Sequence, residues 1–339
     1  MKKALYILVG FLIGIALGII LLETFLRINP KFGYIYESFK VLSSKEDATL
    51  LSPGPPVQPS SLFGYENIPN SNGANSYGLA GKSYKLEKDD KTFRILLLGD
   101  SIAWRDLSRQ FLEEKLNASP MLNLKYKFEI WNAGVPSYDV RRYALYLQHK
   151  GLSYKPDMVI IFICMNDFVV NENLYYKTKN GLISYYFSLP ELSKIYSVNP
   201  SLMKYSYLYR FIMLRIDSYL SGSKKNPGID LREENGKYYL SKIAEMCRGK
   251  EIPMLAVIFP YLKPLNEYSA YQKSEYRIIN DVIKELKLEY INLYNYLPEK
   301  DLYDLRYSRQ DETHPNPEGH ALVAEIIYNY LIKNFSFFD

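Results

Sequence analysis

Apolar runs alternate with stretches of helical periodicity from residue 93 to residue 334. Near-continuous apolar segments at 93–98 (FRILLL), 157–164 (around MVIIFI) and 253–259 (MLAVIF), with 126–132 and 288–294, predict five strands. Helical patterns fill 105–117, 139–150, 236–249 and 270–287 between them. A last helix over 317–334 opens on Asn316-Pro317, an N-cap followed by proline at the first helical position. Such alternation predicts a parallel sheet covered by helices on both faces, and strands covered twice read as unbroken apolar runs.

Three segments fall outside this rhythm. Ala4–Leu22 is nineteen residues without a charge, preceded by Lys2-Lys3. At about 1.5 Å per residue this spans roughly 28 Å, close to the hydrocarbon thickness of a bilayer. The following Glu23-Thr24-Phe25-Leu26-Arg27 offers no small-x-small cleavage site, so 1–29 reads as an uncleaved membrane anchor rather than a signal peptide. The short leading tail favours export of the domain behind it. Residues 30–90, including SPGPPVQPSS at 52–61, read as a linker and irregular lead-in. The domain proper is expected over 91–339, with an insertion at 168–235 rich in Tyr-bearing amphipathic pieces and read as a helical lid or substrate wall.

Composition narrows the picture a little. The 339 residues are 47% hydrophobic and 23% charged, and the net charge of +5 is spread along the chain without a nucleic-acid-like block. Tyr is abundant, at 33 residues against two Trp. The two cysteines, Cys164 and Cys247, have no zinc-ligand spacing and read as buried thiols. Gly10, Gly14 and Gly18 lie on one helix face, a spacing that lets membrane helices approach closely.

Chemistry gathers at strand ends. The first strand stops at Gly99-Asp100-Ser101, the second at Asn132-Ala133-Gly134, the third before Asn166-Asp167, and Asp311-Glu312-Thr313-His314-Pro315-Asn316 precedes the last helix. A serine nucleophile needs a base. Of the three histidines, His149 and His320 fall inside helices and read as structural. His314 has Asp311 three residues earlier, close enough to hold Nδ1 and leave Nε2 as base. The N–H groups of Ser101 and Gly134 and the Asn166 amide could donate to a developing oxyanion. Each block alone is an ordinary turn; their order and placement carry the weight.

In these four blocks, GDS at 99–101, NAG at 132–134, MND at 165–167 and DETHPN at 311–316, the sequence resembles the SGNH (GDSL) hydrolases over about residues 93–334. NSYGLAG at 75–81 looks like the lead-in of their membrane-tethered bacterial type. The resemblance implies a flavodoxin-like three-layer α/β/α sandwich with a central parallel sheet. It implies Ser101 as nucleophile, His314 as base, Asp311 as its partner, and an oxyanion hole from Ser101, Gly134 and Asn166, with neither metal nor organic cofactor. Two positions depart from the family pattern: Cys164 stands where glycine is usual two residues before Asn166, and Ile102-Ala103-Trp104-Arg105 follows the nucleophile where small residues are common.

The function expected is an extracytoplasmic serine esterase that removes acyl, foremost acetyl, groups from a cell-envelope glycan or lipid. One alternative is an O-acyltransferase using the same residues beside a membrane acyl-donor partner docked on Gly10, Gly14 and Gly18, a face that would equally suit a helix dimer. Another is a non-catalytic glycan-binding protein, which the intact Ser101, His314 and Asp311 disfavour.

Overall fold

The computed structural model describes residues 2–28, 39–42, 57–60, 62–71, 73–170, 175–178, 181–185, 202, 206–222, 229–298 and 301–335. Its strands, in chain order, are β1 (Phe39–Leu42), β2 (Val57–Ser60), β3 (Gly64–Asn67), β4 (Thr92–Leu98), β5 (Lys127–Asn132), β6 (Met158–Ile163), β7 (Tyr175–Thr178), β8 (Gly181–Tyr185), β9 (Met254–Ile258) and β10 (Tyr290–Asn292). The chain forms two compact units: Met1–Leu51 with Asn171–Asn226, and Ser52–Val170 with Pro227–Asp339.

The larger unit is built on a five-stranded sheet of order β10-β9-β6-β4-β5, parallel throughout. Counted along the chain within this sheet, the order is 2-1-3-4-5, the flavodoxin-like arrangement. Every residue of β4 and of β6 is buried, as strands covered on both faces must be. Their side chains alternate between the two faces. Ile95, Leu97, Ile160 and Phe162 share a core with Leu112 and Leu116 of helix Leu107–Ala118 and with Val323, Ile327 and Leu331 of helix Pro317–Asn334. On the opposite face Leu96 meets the ground under Gly151 and Leu147, the latter from helix Val140–His149. That helix packs on Ile229–Arg248, which in turn packs on Ala270–Glu285. The expected three-layer sandwich is therefore present, with all five strands where the apolar runs placed them.

The chain leaves β4 toward β5 on one side and returns to β6 on the other. The sheet therefore opens a crevice at the carboxyl ends of β4 and β6, the usual ligand position in open α/β sheets. Both the GDS and the MND blocks emerge there.

Three expectations change. The lead-in is irregular over most of 68–91, but it opens on a strand pair that belongs to the larger unit. β2 and β3 pair as an antiparallel hairpin, Ala80 bridges Asn132, and Asn75 closes a turn by accepting from the N–H groups of Tyr77 (2.9 Å) and Leu79 (3.1 Å). Asn and Gly serve here as turn formers inside the domain, a use that composition does not separate from a linker. Of SPGPPVQPSS, 52–56 and 61 lie outside the described residues. The insertion is not purely helical: β7 and β8 form an antiparallel hairpin whose outer partner is β1. The Asn180-Gly181 pair between Tyr-rich runs is a hairpin signal that a helical reading passes over. Lastly, the helix expected at 236–249 already begins at Ile229, inside the expected insertion. The lid reading of 186–201 lies outside the described residues.

In the smaller unit, helix Lys2–Ile28 contains the apolar stretch Tyr6–Ile28, with a hydropathy of 2.5, long and apolar enough to cross a membrane. Its glycine face is open: a Cβ added at Gly10, Gly14 or Gly18 would meet nothing within 4 Å. Glu23 of this helix caps a distant one, Tyr207–Gly222. Its carboxylate accepts from the N–H groups of Tyr207 (2.9 Å) and Leu208 (2.8 Å) and from Ser206 Oγ (3.0 Å). A carboxylate there satisfies orphan donors and opposes the positive helix end.

Arg94 on β4 is fully buried. It donates to the carbonyls of Lys85 (2.9 Å), Leu86 (3.0 Å) and Tyr154 (2.6 Å) and pairs with Glu129 (3.1 Å), its guanidinium 4.3 Å from the Trp131 ring centroid. These contacts fasten the lead-in to the sheet. Arg94→Met should strand Glu129 and three carbonyls, costing about 3–5 kcal/mol in denaturant unfolding of the full chain in detergent.

Candidate active site

The site begins with a tight turn at the end of β4. Gly99 is required by packing, since a Cβ would lie 2.6 Å from Ala103 Cβ. Asp100 caps the short helix Ser101–Trp104, its Oδ1 accepting from Ile102 N (2.9 Å), while Oδ2 accepts from Ser101 Oγ (3.2 Å). Ser101 is thereby the first residue of a helix, with an N–H that has no intrahelical acceptor. Its Oγ lies 2.8 Å from His314 Nε2. On the far side of the ring, Asp311 Oδ2 lies 2.9 Å and Oδ1 3.0 Å from His314 Nδ1. Residues 213 positions apart are thus joined in one line of hydrogen bonds.

The loop that carries the base is internally braced. Asp311 Oδ1 also accepts from the backbone N–H of His314 (2.9 Å) and of Thr313 (3.1 Å). Partial burial works to raise the Asp311 carboxyl, but these N–H donors and the imidazole outweigh it and hold the group below its ordinary value. Pro315 and the cap by Asn316, whose Oδ1 accepts from Gly319 N (2.8 Å), fix the exit into the last helix.

Asn132 and Gly134 support the turn from β5. Asn132, fully buried, donates to Ala103 O (2.7 Å) and to Asp106 Oδ1 (2.9 Å). A Cβ at Gly134 would sit 2.6 Å from Trp104 N, so glycine alone permits this approach. The Gly134 N–H, expected to face the oxyanion, is donated to Asn132 Oδ1 (2.9 Å), an Asx turn within the NAG block. The structure thus brings Gly134 beside the nucleophile turn but with its proton already shared. The scaffolding role of Asn132 was not read from the sequence, although its place in the NAG block marked it. Asp106 and Arg109, buried and bidentately paired, were missed as well; their i,i+3 spacing on a helix was the available signal.

Asn166 follows β6 and is exposed, and among the described residues its side-chain amide has no hydrogen-bond partner. Cys164, at the first departure from the family pattern, turns inward and donates to Asp100 Oδ1 (3.1 Å). Asp167 is completely buried, its Oδ2 accepting from Cys164 N (2.8 Å) and Tyr143 Oη (2.8 Å). Burial, with Asp100 close by, pushes the Asp167 carboxyl well above its ordinary value. Asp100, Cys164 and Asp167 offer atoms within 4.8 Å of one another. Trp104, at the second departure, packs on Gly73 of the lead-in, where a Cβ would come within 2.8 Å of its ring.

Residues 97–322 match the model of the GDSL-like lipase/acylhydrolase family. This chain belongs to that family. As a GDSL-like acylhydrolase it is an ester hydrolase. No curated protein matches its sequence. Solved structures that resemble the GDSL chain include a lipase/acylhydrolase from Enterococcus faecalis, 17% identical, covering 71% of this chain and 95% of its own, with a TM-score of 0.41. The acetyl xylan esterase AlAXEase is 15% identical, covering 71% and 100%, with a TM-score of 0.41. A GDSL-like lipase from Bacteroides thetaiotaomicron VPI-5482 is 13% identical, covering 73% and 91%, with a TM-score of 0.37.

Of the other histidines, His149 is exposed at a helix end, and His320 is fully buried beneath the site with Nδ1 2.7 Å from Ser108 Oγ. Burial foremost, then the charges of Arg105 and His314, depress His320 to about 4 from 6.5. The unfolded chain therefore binds the extra proton first, and stability falls as pH drops through that interval. The His320 share of that loss should reach up to about 3 kcal/mol; because the raised Asp167 carboxyl works with the opposite sign, it is read as the shift in the melting-temperature difference between wild type and His320→Gln as pH falls from 6.5 to about 4. Asp311, with its lowered value, contributes above the ordinary Asp value of 3.8 and is lost only below it, outside this window.

Proposed function

We propose that this GDSL hydrolase works through Ser101, His314 and Asp311 by way of an acyl-enzyme. The observation that carries the reading is the 2.8 Å contact between Ser101 Oγ and His314 Nε2, with Asp311 on the opposite nitrogen. His314 Nε2 takes the hydroxyl proton as Ser101 Oγ attacks the ester carbonyl. The oxyanion of the tetrahedral intermediate rests on the Ser101 N–H and the Asn166 amide, with Gly134 joining by a bifurcated bond. Collapse expels the alcohol, protonated by His314, and leaves acyl-Ser101. Water, deprotonated by the same imidazole, then releases the acid. Asp311 holds the tautomer and balances the imidazolium.

The substrate read here is an acyl, foremost acetyl, ester on a cell-envelope glycan or lipid. The apolar helix, long enough to cross a membrane, supports an anchored enzyme, and such an anchor suits a substrate of the cell envelope.

With the full chain in detergent micelles, a fluorophosphonate probe should label the protein and p-nitrophenyl acetate should be hydrolysed. Ser101→Ala should abolish labelling, and it and His314→Ala should each lower kcat by on the order of 10⁶, with Asp311→Asn lowering it by roughly 10⁴. Labelling that persists in Ser101→Ala would move the nucleophile elsewhere. A folded wild-type chain that neither labels nor turns over would sink the esterase reading. Asn166→Ala should lower kcat by roughly 10²–10³ with little change in KM, the mark of a donor used in the transition state.

A further inference from the structure

Arg105 ends the nucleophile helix, and its N–H is bonded back to Ser101 O (3.3 Å). Its guanidinium lies 4.1 Å from the ring centroid of Tyr307. Tyr307 is tied to the base: its N–H donates to His314 O (2.9 Å). Arg105 is half-buried and Tyr307 is 59% exposed, so this stacked pair opens to solvent where a substrate must approach. Arg94, Arg109 and Arg142 each have a carboxylate partner. Among the described residues no carboxylate pairs with Arg105. A guanidinium stacked on an aromatic ring is held in one orientation with its donors outward, the arrangement that accepts a planar oxyanion bidentately.

We propose that Arg105, seated on Tyr307, is a specificity-determining residue that binds an anionic group on the alcohol part of the ester. The substrate class is then an acetylated acidic glycan, one bearing a carboxylate close to the acetylated hydroxyl. This rests on the esterase reading above, in which the acetyl group itself has no charge and the anion must belong to the alcohol.

The test compares two acetyl esters of matched shape, 4-acetoxybenzoate and 4-acetoxybenzamide, with the full chain in detergent. Each kcat/KM is divided by the ester's own hydroxide-catalysed rate. Wild type should favour the anionic ester by on the order of tenfold to a hundredfold, the range of a charge-assisted hydrogen bond. Raising salt from about 0.05 to about 0.5 M should narrow that ratio. Arg105→Gln should bring it near one, while Arg105→Lys keeps part of it. A wild-type ratio near one at low salt, or an unchanged ratio in Arg105→Gln, overturns the proposal, and the first of these holds even if the variant does not fold. Turnover of neither ester by folded wild type overturns the esterase reading and this subsite with it.

Discussion

The arrangement of Ser101, His314 and Asp311 depends on how closely the turn after β4 can pack against its neighbours. Gly99 and Gly134 leave no room for a Cβ on either side of Ala103, so the turn is clamped between β6 and the loop after β5. Asp100 and Asn132 then satisfy the polar groups that such compression would otherwise strand, the first at Ile102 N and the second at Ala103 O. A nucleophile held on so short a helix has little freedom of its own. Its aim is set by backbone contacts rather than by side-chain packing.

Electrostatics beneath the nucleophile follow from the same crowding. Asp100, Cys164 and Asp167 share a buried space, their ligand atoms within 4.8 Å of one another, and burial raises the Asp167 carboxyl. The thiol at Cys164 supplies Asp100 with a donor where a glycine would have supplied none. The departure from the family pattern thus fills a polar need in the floor of the site, and the exposed Asn166 is left to the mouth.

The sheet and most of its helices were legible because apolar burial on two faces imposes a simple pattern, and the strand ends in turn located Ser101 and Asn166. Asp311 and His314 could be read because they are local to one loop. What was not legible are local roles that residue type leaves open. The status of the Gly134 N–H is decided by a side chain two residues away that looks like any turn asparagine. Asn75, which orders the lead-in, is in composition indistinguishable from a linker residue. The β7–β8 hairpin was hidden by tyrosines that suit strand and helix faces alike.

The cap that Glu23 places on helix Tyr207–Gly222 bears on how the chain is made. The carboxylate leaves the ribosome well before its partners Ser206, Tyr207 and Leu208, which follow more than 180 positions later. The β1–β8 pairing spans a similar interval, Phe39 to Tyr185. The smaller unit is therefore assembled by late closure: its first half waits, Glu23 paired only locally with Arg27, while all of β4 to β6 is synthesised. Contacts of such high sequence separation are slow to form. During translation the early strand and the early acid are exposed to whatever else is present, so the order of synthesis, and not stability alone, governs how safely this protein matures.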